Sequence, residues 1–498
     1  LISNPVLAGM HPDPSIVRVG ADYYLATSTF EWLPGVTVHH SRDLVNWHLL
    51  GSALDSVRLL DLAGTVDSGG VWAPCLSWAD GLFYLVYTHM VSNIGPFRDL
   101  RNYVVTALSP TGPWSDPMPL HNRGFDPSFF HDADGRSWMA SMVTDHRPDR
   151  DSFGGILLQE WSRKEDRLMG PVHRIFGSTG RGCTEGPHLY RRGGWYYLAM
   201  ADGGTGANHG AVVARGRSLL GPYELDPAGP LLTTRDAVEH PLQKAGHPCL
   251  VDTPQGGWYV AHLCARPLPG GDRCTLGRET ALQRIFWTED GWPRVPGGRP
   301  ALTVEPPRPV PAAPPEPYRF HDDFTGPALD PHLLTLRLHA DPSWLTVADG
   351  LTLTGRESLA SAHRQSLVAH RQTAHRYRAE TSVEFEPRTH QQLAGLACFY
   401  NTKLWHYLHL SHDEELGRVL RVSSLDFQTY TECPAVAVPD GPLLLRADVE
   451  AAELRFTWSS DGTVWTPIGG ILDASLLSDE YATRLVAGRV TDWGFTGA

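Results

Sequence analysis

Three carboxylic acids, Asp13, Asp126 and Glu185, stand in short phrases that resemble one another: His11-Pro12-Asp13-Pro14-Ser15, Phe125-Asp126-Pro127-Ser128 and Thr184-Glu185-Gly186-Pro187-His188. Two more copies read Trp72-Ala73-Pro74-Cys75 and Gly246-His247-Pro248-Cys249. Carboxyls working in pairs perform general acid–base chemistry: one, protonated, gives its proton to a leaving oxygen, while the other, ionised, activates water or attacks. Hydrolysis of a glycosidic bond needs that division of labour. Glu185 suits the acid, because its longer side chain stands one residue out of step with the aspartates, and Asp13 suits the base. Asp126 is then a third carboxylate whose charge raises the pKa of its neighbour and keeps Glu185 protonated near neutrality. A single Asp-Pro reads as a turn or cap before a strand. Three acids at equivalent places in a repeat read as a site.

Each phrase leads through a few apolar residues and a turn into an aromatic-rich strand, anchored at Tyr23, Phe83, Trp138, Trp195 and Trp258, so the intervals are 60, 55, 57 and 63 residues. Repetition on this scale, built from short alternating strands and turn residues, predicts a five-bladed β-propeller. The first strand of each blade then lines a central channel. Equivalent positions tens of residues apart converge there, bringing Asp13, Trp72-Ala73, Asp126, Glu185-Gly186 and His247 into one volume.

His247 reads, taken alone, as a satisfied core imidazole. In register with three acids it is a candidate to bind a cation directly or through water, or to contact the middle carboxylate. Arg278, in Leu276-Gly277-Arg278-Glu279-Thr280, either pairs with Glu279 on the surface or enters the pocket, where its fork of donors suits sugar hydroxyls. Phe30, Trp32 and Trp72 are blade packing or platforms for the apolar faces of a sugar. Trp72 has the stronger claim to the second role because it lies in the repeated phrase.

At 498 residues the chain is long enough for two domains. The formal charge of −13 and the absence of a basic stripe exclude nucleic acid and anionic membrane as expected partners. No apolar run spans a bilayer, and no secretory signal precedes Asn4-Pro5-Val6-Leu7. Seven cysteines, an odd number without paired short spacing, read as reduced thiols of a cytoplasmic protein, with no zinc framework. The propeller is expected over residues 1–302. A Pro-rich linker, 303–318, carries Glu305-Pro306-Pro307-Arg308-Pro309-Val310-Pro311. Over 319–498 the pattern turns to period-two stretches such as Leu443-Leu444-Leu445-Arg446-Ala447-Asp448-Val449, which predict a β-sandwich of concanavalin-like or jelly-roll type. The chain is thus all-β with few helices. It stops in mid-phrase at Gly494-Phe495-Thr496-Gly497-Ala498, as though further strands of the sandwich followed.

With Ser28-Thr29-Phe30-Glu31-Trp32, Gly70-Val71-Trp72-Ala73-Pro74 and Leu276-Gly277-Arg278-Glu279-Thr280 added to the acidic phrases, the chain resembles the β-xylosidases of glycoside hydrolase family 43 that carry an extra C-terminal sandwich. The resemblance implies an inverting mechanism with Asp13 as general base, Glu185 as general acid and Asp126 as pKa modulator and orienter. It also implies that Arg278 contacts the sugar, that a calcium ion sits in the channel near His247, and that Phe495 helps to close a blind pocket. The expected substrate is a xylo-oligosaccharide, cut at its non-reducing end. An α-L-arabinofuranosidase or arabinanase is the alternative within enzymes, and a non-catalytic sugar-binding propeller the alternative outside them. A homo-oligomer, dimer or tetramer, is compatible with an accessory sandwich of this size.

Overall fold

The computed structural model describes residues 1–93, 97–311, 318–486 and 489–492. Strands dominate. Among the described residues there is one α-helix, Asp479–Ala482, with two short 3-10 turns at Pro296–Gly298 and Ala474–Leu476. None of these is long and apolar enough to cross a membrane.

Five antiparallel sheets of four or five strands follow one another along the first three hundred residues. Their leading strands are Ser15–Val19, Gly70–Ala79, Ser128–His131, Glu185–Arg192 and Gln243–Asp252. Each leading strand packs against that of the next sheet, and the fifth returns to the first, so the sheets form a ring and none curls into a barrel. Tight hairpins link some of the strands within a sheet. Asp80-Gly81, with φ of 50° and 81°, joins Gly70–Ala79 to Leu82–Ser92, the paired left-handed residues that a two-residue turn of this hand requires.

The apolar core lies between neighbouring sheets. Leu25, Ile16 and Tyr23 of the first sheet pack with Val251, Ala261 and Leu282 of the fifth. Leu76 and Leu85 of the second pack with Ala26 and Val38 of the first. Cys75 and Val86 meet Phe129 and Met139 of the third, Ile156 and Leu158 meet Leu198 and Val212 of the fourth, and Tyr197 and Val213 meet Leu250 and Val260 of the fifth. Burial at every seam makes closure cooperative, since opening one seam exposes the faces of two sheets.

Polar ties reinforce the inner circle. In three of the repeated phrases the residue after the proline ties to the neighbouring strand: Leu76 N donates to Ser15 Oγ at 2.9 Å, Ser128 Oγ to Pro187 O, and Ile16 N to Cys249 Sγ at 3.3 Å. The ring is closed by its N-terminus. Ile2–Ser3 pairs with Thr303–Val304, two residues past the boundary expected at 302, and Asn4 donates to Leu282 O and Ala301 O and accepts from Leu282 N, each at 2.8 Å.

Beyond the proline-rich passage, Leu333–Leu336 pairs both with Val368–His370 and with Trp32–Leu33 of the ring. The later residues therefore add strands to a loop of the first sheet as well as building their own unit. Two larger sheets follow, one with Arg376–Val383, Leu443–Glu450, Glu453–Ser459 and Thr466–Asp473, the other centred on Leu404–Asp413 and Gly417–Asp426. They share a core of Leu408, Leu420, Val422, Leu445 and Phe456. Along Leu443–Glu450 burial alternates, with Leu443, Leu445, Ala447 and Val449 inside, as the period-two pattern predicts.

Asn4→Ala strips three hydrogen bonds, two of them buried, from the seam that closes the ring. It is expected to lower the unfolding free energy by about 2–4 kcal/mol, the cost of stranding buried backbone groups. Denaturant melts of the two proteins measure this, and coincident curves would mean that Asn4 does not carry the closure.

Candidate active site

The five phrases share a backbone feature that their spelling does not announce. The residue before each proline has a left-handed conformation: Asp13 (φ 55°), Ala73 (34°), Asp126 (54°), Gly186 (57°) and His247 (53°). Such conformations are costly for residues with a Cβ, and a following proline already restricts them further. The equivalent residue of the fourth phrase is thus Gly186, and the acid Glu185 stands one step before it. Glycine belongs there because a Cβ on Gly186 would lie 3.0 Å from the His247 ring.

Asp13 is buried and held by three groups. Ser28 Oγ donates to Oδ2 at 2.7 Å, Arg278 Nη1 donates to Oδ1 at 3.1 Å, and His247 Nδ1 lies 3.8 Å from the same oxygen. Burial raises the carboxyl's pKa, but Arg278, His247 and the Ser28 hydrogen bond outweigh it and hold Asp13 below the ordinary aspartate value. Ser28 is fixed in turn by Ala73 N, which donates to its Oγ at 2.8 Å. His247 is itself pushed down to about 4, chiefly by burial, so its imidazole is neutral at pH 7.

Asp126 and Glu185 move the other way. Burial, then the charge of Asp13, pushes Asp126 up to about 8, although Gly186 N donates to its Oδ2 at 2.9 Å. Burial, then Asp126 and Asp13, raises Glu185 well above its ordinary value, against the pull of Arg98 and Arg278. Arg98 stacks over Phe125 and Phe153, 5.6 and 5.5 Å from the ring centres. Crowded carboxyls cannot all ionise in a dry site, and the guanidinium at Asp13 decides which one does. The arrangement supplies one ionised carboxylate, Asp13, and two carboxylic acids, Asp126 and Glu185, at neutral pH, and so contains the ionised and protonated partners that general acid–base catalysis requires.

Arg278 does not pair with its neighbour in sequence. Glu279 is taken by Arg266, at 2.6 and 2.7 Å, and Arg278 turns inward, 3% exposed. Its Cζ lies 5.1 Å from the centre of the Phe30 ring. Phe30, Trp72 and Phe125 continue as an aromatic wall, with ring centres 6.2 and 5.4 Å apart, and Trp72 Nε1 donates to Ser68 O at 2.9 Å. Trp32 packs away from it with Leu334 and Leu336. Phe495 lies outside the described residues.

The protein donors at His247 do not by themselves make a cage for the calcium ion expected there directly or through water, so water would have to supply most of its ligands. A hard cation of this size takes six to eight oxygens, whereas Asp13 is already engaged by Arg278, whose charge opposes a second cation. Among the described residues no three His, Cys, Asp or Glu side chains are disposed to hold a metal.

Three contributors escape a reading of the sequence alone. Ser28 stands in the quoted phrase Ser28-Thr29-Phe30 but carries no repeat. Arg98 lies in no motif. Asp479, two hundred residues away in the C-terminal half, places Oδ2 3.8 Å from Arg278 Nε.

Comparison with known proteins agrees with this geometry. Residues 2–293 match the model of glycosyl hydrolases family 43, and residues 321–498 match the β-xylosidase C-terminal concanavalin A-like domain. A β-xylosidase of Bacillus subtilis (strain 168) is 44% identical over 496 residues, covering 96% of this chain and 93% of the relative. Xylosidase/arabinosidase 43B of Humicola insolens is 43% identical over 516 residues, covering 100% and 93%. The crystal structure of a xylan β-1,4-xylosidase from Bacillus halodurans C-125 superposes with a TM-score of 0.94 at 46% identity, over 99% of this chain and 95% of that one. With its acids gathered at the head of the ring and both halves matched, the chain belongs to glycosyl hydrolase family 43 and is a glycosidase.

Proposed function

We propose that this glycosidase releases xylose from the non-reducing end of β-1,4-xylo-oligosaccharides with inversion at the anomeric carbon. The observation that carries the reading is the split between two carboxyls of one buried cluster: Asp13 held low by Arg278, Glu185 held high by burial and by its acidic neighbours. Asp13 is the general base that takes a proton from the attacking water. Glu185 is the general acid that protonates the departing glycosidic oxygen, and Asp126 raises the pKa of Glu185 and orients it through the loop at Gly186. Arg278 holds sugar hydroxyls while Phe30 and Trp72 line the apolar face of the ring. Inversion follows where water attacks opposite the leaving group in a single displacement.

The five sheets are, on this reading, the blades of a five-bladed β-propeller over residues 1 to about 304, and the two sheets sharing the core around Leu445 form a β-sandwich. The cyclic contact of the leading strands supports the first assignment and the shared core the second. The seven free thiols favour a reducing, cytoplasmic setting. An α-L-arabinofuranosidase side activity is a second reading, favoured by the name of the Humicola relative.

NMR of xylobiose hydrolysis is expected to show α-xylose first, and initial release of the β-anomer would overturn inversion. Asp13→Asn and Glu185→Gln should each lower kcat on xylobiose by about 10²–10⁴-fold, the usual worth of a general base or acid. With a nitrophenyl leaving group, which needs little protonation, Glu185→Gln should lose much less than Asp13→Asn. Equal losses on both substrates would take the acid role from Glu185.

The pH dependence of kcat/KM should be a broad plateau. On the acid side activity falls as Asp13 is protonated, below the ordinary aspartate range because its pKa is lowered. On the alkaline side it falls as Glu185 loses its proton, well above the ordinary glutamate range. Asp126→Asn removes a neighbour that turns negative only above about pH 8, so on the alkaline side Glu185 gives up its proton more easily and that limb moves to lower pH. A limb that stays in place, or rises, would remove Asp126 from the modulating role.

A further inference from the structure

The guanidinium of Arg278 lies between two carboxylates from opposite ends of the chain. Its Nη1 meets Asp13 Oδ1 at 3.1 Å, and its Nε faces Asp479 Oδ2 at 3.8 Å. Asp479 opens the short helix Asp479–Ala482 and is buried, 6% exposed. Its other oxygen accepts a hydrogen bond from the hydroxyl of Tyr400, at 2.6 Å, and Tyr400 is fully buried. We propose that Asp479 is a positioning residue for the reaction: it fixes the edge of the Arg278 guanidinium, so that the C-terminal half completes the site at Asp13.

A guanidinium is planar and rigid, so fixing its Nε edge restricts the direction in which Nη1 can point. The Phe30 ring, 5.1 Å from Cζ, borders the same group. The helix carrying Asp479 is itself fastened to the two loops that bear site residues. Glu480 forms an ion pair with Lys244, three residues before His247, and accepts from Cys274 N at 2.8 Å, four residues before Arg278. Arg273 donates to Ser475 Oγ and lies 4.8 Å from the centre of the Tyr481 ring. A buried carboxylate is costly to place unless its charge is used. Here it faces both Lys244 and the Arg278 guanidinium, whose other edge acts on the proposed base, and in this the inference rests on the assignment of Asp13 and Arg278 made above.

The test is a double-mutant cycle on the full-length enzyme with a nitrophenyl xyloside, the wild type being assayed first. A wild type without turnover would remove the xylosidase reading itself, apart from this inference. Given turnover, Asp479→Asn is expected to lower kcat/KM about 10- to 100-fold, the scale of a small displacement of a reacting group, with the melting temperature kept within a few degrees. In an Arg278→Ala background the same substitution should change kcat/KM less than about twofold, because residues acting through one another are not additive. A merely structural Asp479 would give losses that multiply. Multiplying losses, or an Asp479→Asn enzyme with wild-type kcat/KM, would overturn the proposal. Should Asp479→Asn not fold, Tyr400→Phe decides, since it keeps the charge and releases Oδ1. A loss of about threefold or more that vanishes in the Arg278→Ala background supports the role, and no loss, or a multiplying one, overturns it.

Discussion

The ring is held to its function by one repeated constraint: a residue in the left-handed region immediately before a proline, just before or within the first half of every leading strand. The proline limits the neighbouring backbone, and the positive φ costs on the order of 1–3 kcal/mol at each residue with a Cβ. Such a conformation persists only where the surroundings over-determine it. Here they do so through the inter-strand ties at Ser15, Ser128 and Cys249 and through the apolar seams between sheets. The strain delivers side chains of Asp13, Asp126 and His247 to a common place. At the fourth position the His247 ring would crowd a Cβ at 3.0 Å, and there the acid is the preceding residue.

Burial alone would push every carboxyl of the cluster toward the neutral form. What separates them is one cation placed unevenly, touching Asp13 and lying farther from the others in effect: it is the largest influence lowering Asp13 and only the last-ranked one on Asp126 and Glu185. A symmetric placement would have shared the proton among three acids and assigned no roles. Chemistry in this site therefore depends less on which acids are present than on where Arg278 points.

Much of the ring was legible in the chain because it is written five times. Periodicity survives loops of unequal length, and the acids stand out against copies that read Ala73-Pro74 and His247-Pro248. The inward turn of Arg278 was not legible, because adjacency to Glu279 offers an equally good partner until Arg266 is seen to have taken it. Ser28 and Arg98 act by position in space and repeat nowhere. Least legible were the contacts between halves: Trp32–Leu33 pairing with Leu336 and Thr335, and Asp479 reaching Arg278. A period-two pattern reports which face of a strand is buried and says nothing of what lies across a seam between distant segments.

That seam carries more charge than stability alone would favour. Arg337, 1% exposed, donates to Thr65 O at 2.6 Å and to Asp67 Oδ1 at 2.7 Å, and lies 4.0 Å from Glu31. Asp67 also accepts from Thr402 N and its hydroxyl, while Ser68 N donates to Glu31 Oε1 at 3.2 Å. Burial pushes Glu31 up to about 7 in spite of Arg337. Apolar residues of similar volume would hold two surfaces together at least as well, since buried ions surrender their hydration. What a charged cluster adds is register: only one docking satisfies all its members, and a displaced one strands a buried charge. Its location gives that register a use. Glu31 follows Phe30 in sequence, and Ser68 O receives the Trp72 indole, so the contacts that align the two halves also set the aromatic wall against which a sugar would lie.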